Sequence, residues 1–287
     1  MSGLQVYTNG AWTTRADHAK ILYPHDSFPT AATTGYPHGL PGDTRPPVTL
    51  TPYDGPMTIT TPGTVIDSRS ITGSLWIQAP NVVISNCLVV SSESEIVNAI
   101  RIDGNGSALI RDTEVTGAGA GTPATAIGSN NFTLLRVNVH NFIDGIRAND
   151  NVVVRDSYIH GLRELGTDPH NDCVQSTGGS HCRFIHNRLD NENSQTACFI
   201  FGPSASPIDD YIVAGNLLNG GGYSMYLGDD PNTGFASTNL AIVNNRWGRE
   251  FFPNGGFFGP HSIGSITGPV LWQGNVWDDT EQPLLMS

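Results

Sequence analysis

The chain has 287 residues, of which 14 are Lys or Arg and 26 are Asp or Glu, and its formal net charge is −12. This acidic balance lacks the basic surface that nucleic-acid binding requires, so nucleic acid is excluded as an expected partner. No apolar run reaches the roughly 18 residues of a membrane helix, and the first residues lack the basic and apolar segments of a signal peptide. We therefore expect a protein without membrane contact that is made and folded in a cytosol.

The first 63 residues do not follow the repeat that fills the rest of the chain. Asn9-Gly10 stands between the apolar runs around Val6 and Trp12, which is a strong hairpin signal. We interpret residues 1–30 as a hairpin and attachment segment, and residues 31–63, rich in Gly, Pro and Thr, as a linker and N-terminal cap. A cap is expected because the first turn of a solenoid otherwise exposes its core and an unpaired strand edge.

From Asn81 to Asp279 one short pattern returns eight times. When the copies are aligned on their last apolar residue, one column holds mostly polar or small residues. Its members are Cys87, Thr113, Val137, Ser157, Asn187, Asn216, Asn245 and Asn275. The four asparagines follow one another at intervals of 29, 29 and 30 residues, and a fixed period of this length indicates a repeat architecture.

Two apolar columns flank the asparagine column. The first holds Ile84, Ile110, Leu134, Val154, Phe184, Val213, Ile242 and Trp272, and the second holds Val89, Val115, Val139, Ile159, Leu189, Leu218, Trp247 and Trp277. We therefore predict an all-β solenoid of parallel strands, in which equivalent side chains stack about 4.8 Å apart. The asparagines are expected to form a ladder at a bend, because Asn tolerates the left-handed region and its amide can bond the next one.

A further strand is predicted in each turn of the solenoid, with one inward residue per turn. This column reads Ile100, Ile127, Ile146, Val174, Phe199, Tyr226 and Phe258. Long insertions, such as residues 162–171 and 229–238, adjoin several of these strands. Solenoids usually carry recognition on such loops, because the rigid turns fix the loop ends. The wall beside Ile146 and Val174 is therefore the first place to look for a site.

Polar residues recur at matching positions on two turns of that wall. They are Asp144, Arg147, Asp172 and Gln175, with His170 at the rim. If Ile146 and Val174 point inward, Arg147 and Gln175 point outward side by side, and the two carboxylates lie about 5 Å apart. These five polar residues are the predicted catalytic group.

Three interpretations of this group stay open at the level of sequence. Two close carboxylates raise the pKa of one of them and could serve as acid and nucleophile in a retaining glycosidase. Alternatively, an Arg or His base could take the proton α to a uronate carboxylate while a second cation stabilises the intermediate, as lyases require. In the third, architectural interpretation, the aspartates only bond turns and Arg147 neutralises them.

The cysteines and acidic pairs predict neither a metal nor a cofactor. Cys173 and Cys198 fall at equivalent positions of adjacent turns, where a disulfide is geometrically possible. Reduced, buried thiols fit a cytosolic chain better. No Cys/His spacing typical of zinc occurs, and adjacent aspartates such as Asp209-Asp210 are usually solvated turns rather than calcium ligands.

Aromatic residues crowd the last third of the chain, and most of them fall in the inward columns. Those in or beside insertions are candidates for stacking on the apolar face of a sugar, namely Tyr223, Phe235, Phe251 and Phe252. A trimer interface or a C-terminal cap would bury the same rings equally well.

The ladder, the repeat and the stacked columns resemble the right-handed parallel β-helix of the pectate-lyase-like superfamily. Residues 49–56 (TLTPYDGP), 63–67 (GTVID) and 274–279 (GNVWDD) are similar, more narrowly, to secreted actinobacterial β-helix proteins and actinobacteriophage tail proteins. The resemblance implies a right-handed β-helix over residues 64–287. The Gly-His-Gly motif of β-helix polygalacturonases and the calcium-binding Asp run of pectate lyases do not occur.

This resemblance, together with the VY-NG-AW opening, implies a tail spike or minor tail protein on a phage virion. Such a protein would recognise host cell-surface polysaccharide, contact other tail proteins through its N-terminal segment and form a homotrimer. Two alternatives belong to other classes: a freely secreted polysaccharide lyase or glycoside hydrolase, and a purely structural tail component. Whether the chain is an enzyme is left open.

Overall fold

The computed structural model describes residues 28–92, 98–119, 124–164 and 170–286, together with the backbone of two N-terminal strands. The strands are β1 (Gln5–Thr8), β2 (Ala11–Thr14), β3 (Thr51–Pro52), β4 (Thr58–Ile59), β5 (Val65–Asp67), β6 (Arg69–Thr72), β7 (Leu75–Ile77), β8 (Val82–Ser85), β9 (Leu88–Ser91), β10 (Asn98–Ile102), β11 (Ala108–Arg111), β12 (Glu114–Gly117), β13 (Thr125–Ser129), β14 (Phe132–Leu135), β15 (Asn138–His140), β16 (Asp144–Arg147), β17 (Val152–Arg155), β18 (Tyr158–His160), β19 (Asp172–Ser176), β20 (Gly179–Ile185), β21 (Arg188–Asn191), β22 (Ala197–Phe201), β23 (Ile208–Ala214), β24 (Leu217–Gly220), β25 (Tyr223–Leu227), β26 (Ser237–Val243), β27 (Arg246–Gly248), β28 (Gly259–Ile263), β29 (Val270–Gln273) and β30 (Val276–Trp277).

The strands from β3 onward form three parallel sheets that wind as a right-handed β-helix, as the sequence predicts. Sheet 1 has ten strands and contains every third strand from β3 to β30. Sheet 2 runs from β4 to β28 and sheet 3 from β5 to β29, with nine strands each. One strand from each sheet makes one turn of the solenoid, and no helix occurs among the described residues.

The core is built from the inward columns of the three sheets. The predicted pairing of Ile84 with Ile110 and of Val89 with Val115 is confirmed, and all four side chains are fully buried. In the last turns the columns end in tryptophans, and Trp272 is half-buried because no further turn covers it. These continuous apolar ladders account for a fold whose sheets are not covered by any helix among the described residues.

The asparagine ladder is present at the bend between sheet 3 and sheet 1. Asn187 donates from its backbone N and from Nδ2 to Oδ1 of Asn216, at 2.8 and 2.9 Å. Asn216 donates in the same way to Asn245, and Asn245 to Asn275, at 2.9 to 3.1 Å. Each Nδ2 also donates to a backbone carbonyl, such as that of Phe184 for Asn216. All four side chains are buried, so water cannot replace these bonds.

The left-handed conformation at this bend belongs to the residue before the ladder position, which corrects the prediction for the asparagines themselves. His186 has φ 54° and Asn244 has φ 55°, while glycines at 215 and 274 have φ 66° and 68°. The ladder asparagines keep negative φ. The two residues have different roles at the bend. The residue before the asparagine makes the turn, whereas the asparagine side chain points inward and bonds along the solenoid axis.

The predicted inward column of sheet 2 is correct as far as Phe199 and wrong at its last two positions. Phe199 pairs with Met225, and Met225 pairs with His261. Tyr226 lies one residue later and faces outward, and Phe258 precedes strand β28 in an exposed turn. Because side chains alternate along a strand, a shift of one residue moves a side chain to the opposite face.

Residues outside the repeat lie against the solenoid at both ends of the described chain. The two N-terminal strands pair antiparallel, which confirms the predicted hairpin, although Asn9-Gly10 lies outside the described residues. Arg45 bonds Asp112 at 2.9 Å and thereby holds the segment after residue 28 to the flank of the solenoid. At the other end, the carbonyl of Leu284 accepts a bond from Trp272 Nε1 at 2.8 Å, and the buried Leu284 side chain covers the last turn.

None of the described segments is a helix long and apolar enough to cross a membrane. The four cysteines are buried free thiols. Cys173 and Cys198 lie opposite each other on β19 and β22, because the residues before and after them pair in register. The stacking predicted for these two thiols is thus confirmed, and no disulfide joins them. The proposed domain boundaries at residues 30 and 63 stay predictions.

Candidate functional site

The predicted polar residues of sheet 2 come together at the edge of the sheet where its strands begin. Asp144 opens β16 and Asp172 opens β19, and the two strands are neighbours. The backbone N of Asp172 donates to Oδ1 of Asp144 at 3.2 Å. On the outer face, Arg147 Nη2 donates to Oε1 of Gln175 at 2.6 Å, which confirms the predicted pairing of these side chains. We call Asp144, Arg147, Asp172 and Gln175 the acid corner.

The two carboxyl groups of the acid corner have different environments. Asp172 is only 1% exposed, and it accepts bonds from Thr196 Oγ1 at 2.7 Å and from Gln175 Nε2 at 3.3 Å. Asp144 is half-buried and borders the outer face. A ligand can therefore reach Asp144 directly, whereas Asp172 is covered by its own hydrogen-bond donors.

Burial dominates the ionisation of both groups. It raises the pKa of Asp172 to about 8, with a further increase from the charge of Asp144. Burial also raises the pKa of Asp144, to about 6, against the opposing effects of the bond from Asp172 N and the charges of Arg147 and His170. At neutral pH the pair therefore holds one proton, mostly on Asp172, and Asp144 is largely ionised.

This arrangement restricts the chemistry that the acid corner can perform. Asp172 cannot act as a nucleophile towards a sugar carbon while it is covered, so the two-carboxylate mechanism of a retaining glycosidase lacks its second group. Asp144 has the raised pKa and partial access of a general acid or base. Arg147, beside it, can stabilise developing negative charge.

His170 lies at the rim, as the sequence predicts. It is exposed, and its charge acts on Asp144, so the two side chains are within electrostatic range. The preceding residues 165–169 lie outside the described part of the chain. His170 therefore presents an exposed side chain near Asp144.

Tyr226 joins the site, although its sequence pattern assigns it to the core. It follows Gln175 and Ile200 in the outward column of sheet 2, one strand at a time. Burial raises the pKa of Tyr226, and the charges of Tyr223 and Asp172 raise it further, so its hydroxyl lies near the acid corner. The signal that could have revealed it is Met225, which fits the inward column equally well.

A chain of aromatic rings leads from Tyr226 to the turn before β28. Tyr223 contacts Tyr226 with ring centroids 5.3 Å apart and Phe258 at 5.8 Å. Phe258 meets Phe257 at 4.8 Å, and Phe257 meets Phe252 at 5.8 Å. Phe257 and Phe258 are 54% and 58% exposed. We call these five rings the aromatic ribbon.

The structure places two of the four predicted glycan-binding residues in the aromatic ribbon and the other two outside it. Tyr223 and Phe252 belong to the aromatic ribbon, whereas Phe251 is half-buried beside Gly220. Phe235 lies in the loop after β25, at the opposite edge of sheet 2 from the loop that carries Phe252. Neither exposed ring was predicted to bind a glycan, because Phe257 in its Gly-rich turn has no periodic signature and Phe258 was assigned to the inward column.

The two aspartates of the acid corner do not belong to a larger set of metal ligands among the described residues. Nowhere in the described ranges do three or more His, Cys, Asp or Glu side chains converge in a way that could hold a metal ion. The polar groups gathered at the site are carboxyl, guanidinium, amide and phenol groups, which suit hydrogen bonding to an organic ligand. The chain matches no protein-family model and no curated protein. The site therefore has to be interpreted from its own geometry.

Proposed function

We propose that the protein binds a cell-surface polysaccharide across the outer face of sheet 2. The acid corner carries this proposal, because an accessible carboxylate, a guanidinium and an amide meet on one open wall. Such groups can bond the many hydroxyls of a sugar chain. The adjoining aromatic ribbon supports the same ligand class, because its exposed rings can pack on the apolar faces of sugar rings.

Cleavage of the bound chain is a second candidate, favoured by the raised pKa and partial access of Asp144. In an elimination, the Asp144 carboxylate takes the proton α to a uronate carboxylate, and Arg147 stabilises the charge that develops. The electron pair forms a carbon–carbon double bond, the glycosidic C–O bond breaks, and the departing oxygen takes a proton from water. Tyr226 lies near enough to orient the chain.

The test combines binding and product analysis on purified cell-envelope polysaccharides. We expect wild-type protein to bind at least one of them in calorimetry and Asp144→Asn to bind about tenfold more weakly. Asp54→Asn, which removes an exposed carboxylate at the other end of the solenoid, is the matched control and should bind normally. Failure of wild-type protein to bind any polysaccharide of the panel would refute the proposal.

The same samples separate binding from cleavage. An elimination would shorten the polysaccharide and give the ultraviolet absorbance of an unsaturated uronate, and a hydrolysis would shorten it without that absorbance. Binding without any change in fragment size would leave a recognition protein. Loss of cleavage in Asp144→Asn with retained cleavage in Asp54→Asn would assign the reaction to the acid corner.

We further propose that the chain acts on a phage tail, as a tail spike or minor tail protein. The hairpin of β1 and β2 supports this proposal, because it forms a sheet separate from the solenoid and an isolated two-stranded hairpin needs a partner for stability. Other tail proteins are the proposed partners. Labelled protein should bind actinobacterial cells, and an excess should block phage adsorption. Unimpaired adsorption, with the protein bound to the cells, would contradict a role on the tail.

A further inference from the structure

Two buried nitrogen atoms beside the acid corner have no hydrogen-bond acceptor within the described part of the chain. One is Nδ2 of Asn98, the first residue of β10, whose side chain is 4% exposed. The other is Nε of Arg147. A buried donor without an acceptor costs about 1–3 kcal/mol, so two of them in one place call for a physical explanation.

The register of sheet 2 brings the side chains of these two residues to the same glycine. Asn98 and Arg147 lie on strands β10 and β16, with β13 between them. On β13, a Cβ atom at Gly128 would lie 3.0 Å from Asn98 Nδ2 and 3.0 Å from Arg147 Cβ. A side chain at position 128 would therefore crowd both neighbours. The amide of Asn98 and the base of the Arg147 side chain flank one point on the wall.

Two arginines lie on either side of this point in a chain whose net charge is −12. Arg101 pairs with Gly128 and thus precedes it in the outward column, while Arg147 follows on the next strand. Arg101 is held over the ring of Trp76 at 4.9 Å and bonds Asp103 at 2.7 Å. Its side chain is 41% exposed, so its guanidinium stays accessible.

We propose that Asn98, Arg101 and Arg147 form a subsite for an oxyanion group carried by the ligand. Carboxylate, sulfate and phosphate share the required chemistry, since each offers several acceptor oxygens to an amide N–H and a guanidinium N–H. This inference rests on the proposed function and deepens it: the polysaccharide is acidic, and its charged group lies one to two strands from the carboxyl of Asp144. The ligand oxygens supply the acceptors that the chain does not.

The test compares an acidic glycan with its neutralised form. We expect wild-type protein to bind oligogalacturonate at least about tenfold more tightly than its methyl ester. Asn98→Asp keeps the shape of the side chain but replaces the donor by a negative charge, and it should abolish this preference. Asn232→Asp adds the same charge at an exposed position in the loop after β25, away from the aromatic ribbon, and should retain the preference.

A second variant and a second probe cover other outcomes. Arg147→Lys keeps the charge and removes Nε, and it should reduce the preference even if Asn98→Asp does not fold. To identify the group that binds, the same comparison is made with inorganic sulfate and phosphate and with sulfated and phosphorylated dextran. If wild-type protein binds no glycan but inorganic sulfate raises its melting temperature and not that of Arg147→Lys, the proposed function fails while the subsite stands.

Two results would overturn the inference while leaving polysaccharide binding intact. The first is equal binding of the acidic and esterified oligosaccharides by wild-type protein. The second is an unchanged preference in Asn98→Asp and Arg147→Lys, both shown to be folded by circular dichroism. A crystal structure of the complex with only a water molecule between Asn98 Nδ2 and Arg147 Nε would also refute the subsite.

Discussion

Replacing Asn216 by Ala tests the ladder that closes the bend between sheet 3 and sheet 1. Oδ1 of Asn216 accepts two bonds from Asn187, and Nδ2 donates to Asn245 Oδ1 and to the carbonyl of Phe184. Alanine removes all four bonds. Because the site is fully buried, no water is expected to take over their roles.

The cost can be worked out bond by bond. Nδ2 of Asn187 keeps its bond to the carbonyl of Val154, and Oδ1 of Asn245 keeps the bond from the backbone N of residue 216. The backbone N of Asn187 loses the one acceptor that it has among the described residues, which costs about 1–3 kcal/mol. With the three other lost bonds at about 0.5–1.5 kcal/mol each, the sum is about 2.5–7.5 kcal/mol. We expect a loss near its lower end, about 3 kcal/mol, because the partner atoms Asn187 Nδ2 and Asn245 Oδ1 keep their other bonds.

Unfolding in urea measures this loss, and a thermal scan should show a melting temperature lower by roughly 5–10 °C. Asn254→Ala is the matched control, since this asparagine is exposed, and it should change stability by less than about 0.5 kcal/mol. An Asn216→Ala protein as stable as Asn254→Ala would refute the reasoning that buried ladder bonds stabilise the solenoid.

Three more expectations concern the whole chain. Burial raises the folded-state pKa of Asp172 from 3.8 to about 8, so its stabilising effect is complete below pH 3.8 and is lost as the pH rises through 8. As the pH rises from 4 to 8, the free energy of unfolding should therefore fall less in Asp172→Asn than in wild type, by up to a few kcal/mol. Parallel pH profiles of the two proteins would contradict this. Sedimentation should show a homotrimer, and a monomer at micromolar concentration would favour a free secreted enzyme. A thiol reagent should modify Cys173 and Cys198 only after denaturation, because both are fully buried, and rapid labelling of the native protein would be inconsistent with the fold.

The sequence was sufficient for the solenoid because its information is repeated. Each turn places an apolar residue in the columns of Ile84 and Val89, and alignment of eight copies cancels the ambiguity of any single strand. The ladder of Asn216 and its neighbours followed from the same alignment. Strand pairing could be predicted residue by residue, since parallel stacking in register is the only arrangement that keeps identical columns together.

Sheet 2 was harder to predict, because its strands follow loops of different lengths. After the long insertion that precedes β28 no neighbouring residue fixes the register, and Phe258 and His261 compete for one inward position. At β25, Met225 and Tyr226 are both large and apolar enough for the core. The structure resolves the choice by placing the flexible Met225 inside, where it fills the space between Phe199 and His261.

At the candidate site, the proximity of the two aspartates was predictable from the sequence, whereas the burial of their carboxyl groups was not. The stacking of Asp144 on Asp172 followed from the spacing between adjacent turns. That Asp172 is covered by Thr196 depends on a loop whose path no periodicity specifies. The sequence alignment was shifted by one residue at β25. Tyr226 was therefore assigned to the core, and its phenol near the acid corner was not predicted.

The bend column is chemically uneven along the solenoid axis. Its last four positions are asparagines, whereas the earlier ones include Val137, which has no polar side chain, and Cys87, whose backbone N donates one long bond of 3.4 Å to Thr113 Oγ1. Turns of a solenoid contact only their neighbours, so local strength is not averaged over the whole domain. We therefore expect the solenoid to resist local unfolding more strongly at its C-terminal turns than at its N-terminal turns. Opening should spread from the N-terminal turns, while the wall that carries Tyr226 stays rigid.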